Sequence, residues 1–252
     1  MPDSYSDQFL TEDLAARYEL NQYGKSTYAN LLWQIERCVL SDVVQQLRQE
    51  LNRIDYLDFA CGTGRILAYM EDKVDCAIGI DVSNAMLKLA SRRLHSAKLV
   101  QVDITSDETN SERQYDLISC FRFVLNAEAN LREAAMGQLA LRLRGPKARL
   151  VLNVHGNLWS YKLISMPYRW IRAVLSGSRP AGYMTNKEVI RLLEQTGLEV
   201  EHIFGFGFLS GKILRIVPWS TALWVERKLW DVGLVQAFGV DQVFVCRLRS
   251  DP

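Results

Sequence analysis

Asp58, Gly62, Gly64, Asp81, Asp103 and His155 are the residues of this 252-residue chain whose types and positions could do chemistry. The stretch LDFACGTGRIL, residues 57–67, passes from apolar to small residues and back to an apolar, helix-like pattern. A strand that ends in Ala60, Cys61, Gly62, Thr63 and Gly64 just before a helix turns backbone N–H groups and a helix N-terminus toward one point. Such a turn cradles an anionic or nucleotide-like ligand. The nicotinamide fingerprint needs a third glycine three residues after the second, for close helix–strand packing. That position holds Leu67, so the fingerprint fails.

The same stretch resembles motif I of the class I S-adenosylmethionine-dependent methyltransferases, acidic-x-x-x-Gly-x-Gly, which Asp58, Gly62 and Gly64 match as they stand. Further matches follow in order. IGIDVSNAMLKLA ends an apolar run in Asp81, LVQVDIT ends another in Asp103, and YDLISCFRFVLN resembles motif IV. The resemblance covers roughly 54–156, plus the last two strands. It implies an α/β fold: a three-layer α/β/α sandwich on a seven-stranded, mostly parallel sheet of order 3-2-1-4-5-7-6, strand 7 antiparallel, with an N-terminal helical cap. It also implies S-adenosylmethionine as cofactor, in the crevice at the carboxyl ends of the strands.

In that setting Ala60, Cys61, Gly62 and Gly64 form the cofactor turn, and Asp81 accepts from the ribose hydroxyls. Asp103 contacts the adenine amino group with Ile104 packed beside it. Cys120 and Phe121 meet the sulfonium region. Val82 and Met86 either clamp the adenine faces or are plain core. Asp58 orders the loop, reaches the cofactor's ammonium through water, or contacts the cofactor directly.

Methyl transfer from a sulfonium is an in-line displacement, governed by alignment and desolvation. A hydroxyl acceptor also needs a base, and His titrates in the right range. His95 falls at a helix C-terminus and His202 at the start of an outer strand, both surface positions. His155, in VLNVHGN, lies past the fifth strand on the rim that an acceptor approaches. Two roles are open to it, general base or acceptor-orienting residue, and backbone partner in a sharp turn. Asn157 beside it, and Asn126 and Arg122 in the loop after strand four, are candidates for the acceptor. Arg122 equally suits a carboxylate of the protein itself. Tyr18, Tyr23 and Tyr28 sit in the N-terminal helical stretch, and Tyr28 is the candidate for closing the pocket. No metal site is indicated: there is no H-x-x-x-H and no Cys/His cluster of ligand spacing.

These residues need elements to hold them. Leu31, Leu32, Ile35, Val39, Val43 and Leu47 recur at helical spacing within 12–50. From residue 54, short apolar runs alternate with helical stretches at about 65–73, 83–95, 129–143 and 185–196, the pattern of a covered parallel sheet. Ser83 and Thr185 are expected N-caps, Thr185 with Glu188 as capping-box partner, and Gly197 closes that last helix. We read one domain, 1–252: a cap at about 1–50, a core at about 51–156 and 185–252, and insertions at about 157–184 and 208–239. The first insertion carries Lys162, Arg169, Arg172 and Arg179 and no acidic residue, among aromatics that include Tyr183. It suits a lid over the acceptor or a helical pair with a solvated face. Together with IVPWSTALWVERKLW, it also suits an amphipathic element on a membrane surface.

Composition bounds the partners. A net charge of +1 gives no support for a nucleic-acid binder, and 48% hydrophobic with 23% charged residues fits a globular protein. Five scattered cysteines without C-x-x-C, and an acidic N-terminus without an apolar core, point to a reducing cytoplasm. No stretch is long and apolar enough to span a bilayer. The expected acceptor is a small molecule, or the sugar of a glycoconjugate, methylated on oxygen. Small-molecule N- or C-methylation, or non-catalytic cofactor binding on the same fold, are the alternatives.

Overall fold

The computed structural model describes residues 28–106, 113–157, 159–160, 167, 175, 183–209, 213, 216–230 and 232–249. Tyr18, Tyr23 and most of the 157–184 insertion lie outside the described residues.

In chain order the elements are α1 (Tyr28–Glu50), β1 (Asp55–Phe59), α2 (Arg65–Met70), β2 (Cys76–Asp81), α3 (Asn84–Ser91), β3 (Lys98–Gln101), β4 (Leu117–Cys120), α4 (Ala129–Leu141), β5 (Arg149–Val154), α5 (Asn186–Gln195), β6 (Leu198–Phe206), α6 (Trp219–Leu229) and β7 (Asp241–Leu248). A 3₁₀ turn, Val235–Phe238, precedes β7. The strands form one sheet of order β3-β2-β1-β4-β5-β7-β6, parallel except for β7. The expected topology is the observed one. Apart from β2, the strands of the parallel half are shorter than their apolar runs. YDLISCFRF, for example, gives only Leu117–Cys120, because Phe121 and Arg122 turn out into a loop.

Pleating sorts the side chains onto two faces. Tyr56, Leu117, Val151, Val243 and Val245 pack with Ile35, Val39 and Val43 of α1 and with Ile66, Leu67 and Met70 of α2. Leu57, Ile118, Leu150 and Phe244 pack on the other side with Ala135, Met136 and Leu139 of α4 and Val189 and Leu193 of α5. Both faces of the central strands are therefore buried, and each fully buried Leu or Ile contributes about 2 kcal/mol. The helix ends follow the sequence. Ser83 Oγ accepts from Met86 N, Thr185 and Glu188 form the reciprocal capping box, and Gly197 ends α5 at φ 79°.

The strand order reverses between β1 and β4. A crevice opens at their carboxyl ends, and the turn after β1 and the loop after β4 face each other across it.

Candidate active site

The β1–α2 turn is tightly specified. Ala60, Gly62 and Gly64 all have positive φ (52°, 53° and 73°), a region that glycine enters freely and alanine enters at about 1 kcal/mol. Gly64 N donates to Cys61 O, and Cys61 N donates to Ile80 O of β2. A side chain at Gly64 would sit 2.9 Å from Ala90 Cβ of α3. Gly62 instead has nothing within 4 Å of where its Cβ would lie. The helix–strand closeness that a third glycine provides elsewhere is achieved here by Gly79 of β2, over which Leu67 Cδ2 comes within 2.4 Å of an added Cβ.

Asp81 closes the turn from the side. Its Oδ2 accepts from Gly62 N at 2.8 Å and its Oδ1 from Ser83 N at 2.8 Å. Burial raises its pKa, against the lowering pull of these amides. Asp58 lies beneath, 1% exposed. Ser119 Oγ donates to its Oδ1 at 2.6 Å and shares a second bond of 2.6 Å with the Tyr56 hydroxyl. The other oxygen, Oδ2, is buried with no hydrogen bond among the described residues. Burial pushes this carboxyl up to about 7, only partly offset by Ser119 and by the charge of Arg65.

These groups wall a cavity of about 440 Å³. Of the expected cofactor residues, Asp58, Ala60, Cys61, Gly62, Asp81, Val82, Met86, Asp103, Ile104 and Phe121 line it. Gly64 and Cys120 lie behind the wall: Gly64 shapes the turn against Ala90, and Cys120 is wholly buried, its thiol pKa raised by that burial. Asp103 Oδ1 accepts from Thr105 N and Oγ1, which fixes the loop after β3. Phe59 and Phe123 meet edge to face at 4.8 Å on the wall toward β4.

The acceptor candidates divide. Arg122 and Asn126 line the cavity. Arg122 has φ 60°, held by its N–H donating to Asn153 Oδ1 at 2.6 Å, and Asn126 Nδ2 donates to its carbonyl. Its guanidinium lies 3.6 Å from Glu36 and 3.8 Å from Asp241, so a protein carboxylate is its visible neighbour. Tyr28, Asn157, Tyr183 and His155 do not reach the cavity wall. Tyr28 Oη donates to Gly207 O. Asn157 is fully buried: its amide donates to Ala237 O and Gly239 O and its oxygen accepts from Trp159 N, so no group remains for a ligand. Tyr183 is half-buried, with its hydroxyl unbonded among the described residues. His155 is half-buried just past β5.

Sequence reasoning missed Arg65 and Glu36. Arg65 opens α2, lines the cavity, stacks over the Trp33 ring at 4.1 Å and lies 3.6 Å from Glu36. Glu36 is 0% exposed and accepts from Asn153 Nδ2 at 3.0 Å. The signal was readable: Glu36 is a carboxylate inside the apolar stripe of Leu32, Ile35, Val39 and Leu40.

The residues present fit an adenosine-bearing cofactor. There is open space above Gly62, the Asp81 carboxylate beside it, apolar walls from Val82, Met86 and Ile104, and an orphaned Asp58 oxygen at the floor.

Comparison with known proteins agrees. The chain is 21% identical over 190 residues to a ubiquinone biosynthesis O-methyltransferase of Rickettsia bellii, covering 73% of this chain and 78% of that protein. Its fold matches magnesium protoporphyrin IX methyltransferase from Synechocystis, solved with bound SAH (TM-score 0.63, 14% identity, 97% of each chain). It also matches a possible histamine N-methyltransferase from Thermotoga maritima (TM-score 0.59, 13% identity, 96% of this chain and 99% of that one). A family model described as a methyltransferase domain matches residues 32–203, most of the fold and the whole cavity wall, and the chain belongs to that family.

Proposed function

We propose that this protein is an S-adenosylmethionine-dependent methyltransferase that methylates a hydroxyl of a small molecule or of a glycoconjugate sugar. The observation that carries the reading is the cavity where the Gly62 turn and the Asp81 carboxylate meet at the switch point between β1 and β4. The likeness to an O-methyltransferase supports oxygen as the atom methylated. One sheet drawing strands from Asp55 to Leu248 supports reading 1–252 as a single domain. Five free cysteines, three of them buried, suit a reducing cytoplasm.

When bound, S-adenosylmethionine supplies an electrophilic methyl group on a sulfonium. Asp81 and the Gly62 and Gly64 turn would hold its adenosine, with Val82, Met86 and Ile104 against the base and Asp103 at its amino edge. Asp58 and Arg65 would hold its amino-acid end. Phe121 and Phe123 exclude water beside the reacting line, which strengthens every charge interaction there. Arg122 and Asn126 orient the acceptor from the loop after β4. Tyr28 and Asn157 act through the rim backbone they hold, with Tyr183 beside them. His155, half-buried just past β5 and outside the cavity wall, is the proposed base: an acceptor reaching from the cavity to the rim would lose its proton there as its oxygen bonds the methyl carbon and the carbon–sulfur bond breaks.

Calorimetry with S-adenosylhomocysteine (SAH), the demethylated product, tests the cofactor assignment, and absence of binding overturns it. A screen of hydroxyl acceptors with radiolabelled methyl donor then identifies the substrate. His155→Ala should spare SAH binding and slow turnover, and unchanged turnover removes the base assignment.

A further inference from the structure

Most of the exposed large apolar side chains are gathered in one part of the chain. Apart from Val82, Val100 and Leu141, those among the described residues all fall in 159–238. Ile216 and Leu234 are each 86% exposed and Trp224 is 62% exposed, with Trp159, Val232 and Phe238 also open. In sequence Ile216, Val232 and Leu234 flank one helix, α6, and Trp224 lies on it. α6 buries Ala222 and Glu226 and exposes Ser220, Thr221, Trp224, Arg227 and Lys228, a stripe at helical spacing.

The charges on that helix are sorted. Its single acid, Glu226, is turned inward, where its carboxylate accepts from Gly207, Phe208 and Leu209 N–H. Arg227 and Lys228 remain outside. Asp42 of α1 is within electrostatic reach of Arg227, which leaves the stripe still net positive. The pieces are joined: Asn157 donates to Ala237 O and Gly239 O, tying the stretch that carries Trp159 to the one that carries Phe238. The Val235–Phe238 turn packs on β6, the sheet edge, as Gln236 O lies where a Gly205 Cβ would be.

We propose that this face docks on the surface of an anionic phospholipid bilayer. Exposed aromatic and aliphatic side chains beside Arg227 and Lys228 match the acyl–headgroup boundary and its negative potential. No described helix is long and apolar enough to cross a membrane, so the contact is peripheral. A second copy would bring two such net-positive faces together, which makes it the poorer occupant.

The test is co-sedimentation of the full chain with vesicles of phosphatidylglycerol mixed with phosphatidylcholine, beside pure phosphatidylcholine vesicles. Binding is expected to the mixed vesicles and not to the pure ones, and should be released by high salt. Arg227→Ala with Lys228→Ala should weaken it roughly thirtyfold, and Trp224→Ser with Leu234→Ser at least about tenfold. Circular dichroism melting of both pairs verifies the fold. Binding to neither vesicle overturns the proposal, as does equal binding to both. Sedimentation velocity showing a dimer that Leu234→Ser dissolves also overturns it, and assigns the face to self-association.

Discussion

The Gly62 amide donates to the Asp81 carboxylate across 2.8 Å, so the turn after β1 and the end of β2 are a single unit. The other Asp81 oxygen takes Ser83 N–H at the start of α3, which fixes three segments about one side chain. Asp81→Ala should therefore lower SAH affinity roughly a hundredfold, the worth of one or two charge-assisted hydrogen bonds. Asp81→Asn, which keeps one acceptor, should fall between. Calorimetry giving equal dissociation constants for all three proteins would refute the assignment.

The two turn glycines should fail in different ways. Gly64→Ala meets Ala90 Cβ at 2.9 Å and Ala90 Cα at 3.2 Å in a left-handed conformation, so strain adds to displacement of α3. Its loss of unfolding free energy should clearly exceed that of Gly62→Ala, where the left-handed backbone alone costs about 1 kcal/mol. The Gly62 methyl would enter the cavity, so that variant should lose SAH affinity while staying nearly as stable. Urea denaturation beside calorimetry separates the two, and equal stability losses would contradict the packing account.

Local chemistry explains what was readable beforehand. Apolar runs bounded by small residues gave the strands, Thr185 with Glu188 gave a helix start, and Asp58, Gly62 and Asp81 gave part of the cavity wall, with Gly64 shaping the turn behind it. Side chains whose partners are distant in sequence were not readable. Nothing near Asn157 shows that its amide is spent on Ala237 and Gly239, or that Arg122 faces Glu36 and Asp241. Those pairings exist only once β5, β7 and α1 meet. Glu36 was a partial exception, since a carboxylate in an apolar stripe already demands a buried partner.

That partner set gives a third expectation. Glu36 lies between Arg65 and Arg122, 3.6 Å from each, and accepts from Asn153. Glu36→Gln leaves two cations facing a neutral amide in a mostly buried site, and should cost about 3 kcal/mol of stability. Adding Arg122→Met removes one cation and should recover part of that loss, so the two changes will not be additive. Urea titration of the single and double variants reads this directly. Strict additivity would mean that the two side chains do not act on each other.

Asp58 gives the pH prediction. Its folded pKa is about 7 because the carboxyl is buried, against about 4 in an unfolded chain. Between those values the native state holds a proton that the unfolded chain has released. Stability must then fall as pH rises from about 4 to about 7 and level off above, with a slope of at most about 1.4 kcal/mol per pH unit. Asp58→Asn keeps an acceptor for Ser119 and should lack this component, so the wild-type minus variant difference isolates it. A cationic sulfonium nucleoside in the cavity favours the ionised carboxylate. S-adenosylmethionine should therefore bind more tightly as pH rises through about 7 and expel a proton on binding, more so than SAH. Calorimetry in buffers of different ionisation enthalpy counts that proton. Finding none for the wild type, or the same count for Asp58→Asn, would remove Asp58 from the surroundings of the cofactor's cationic groups.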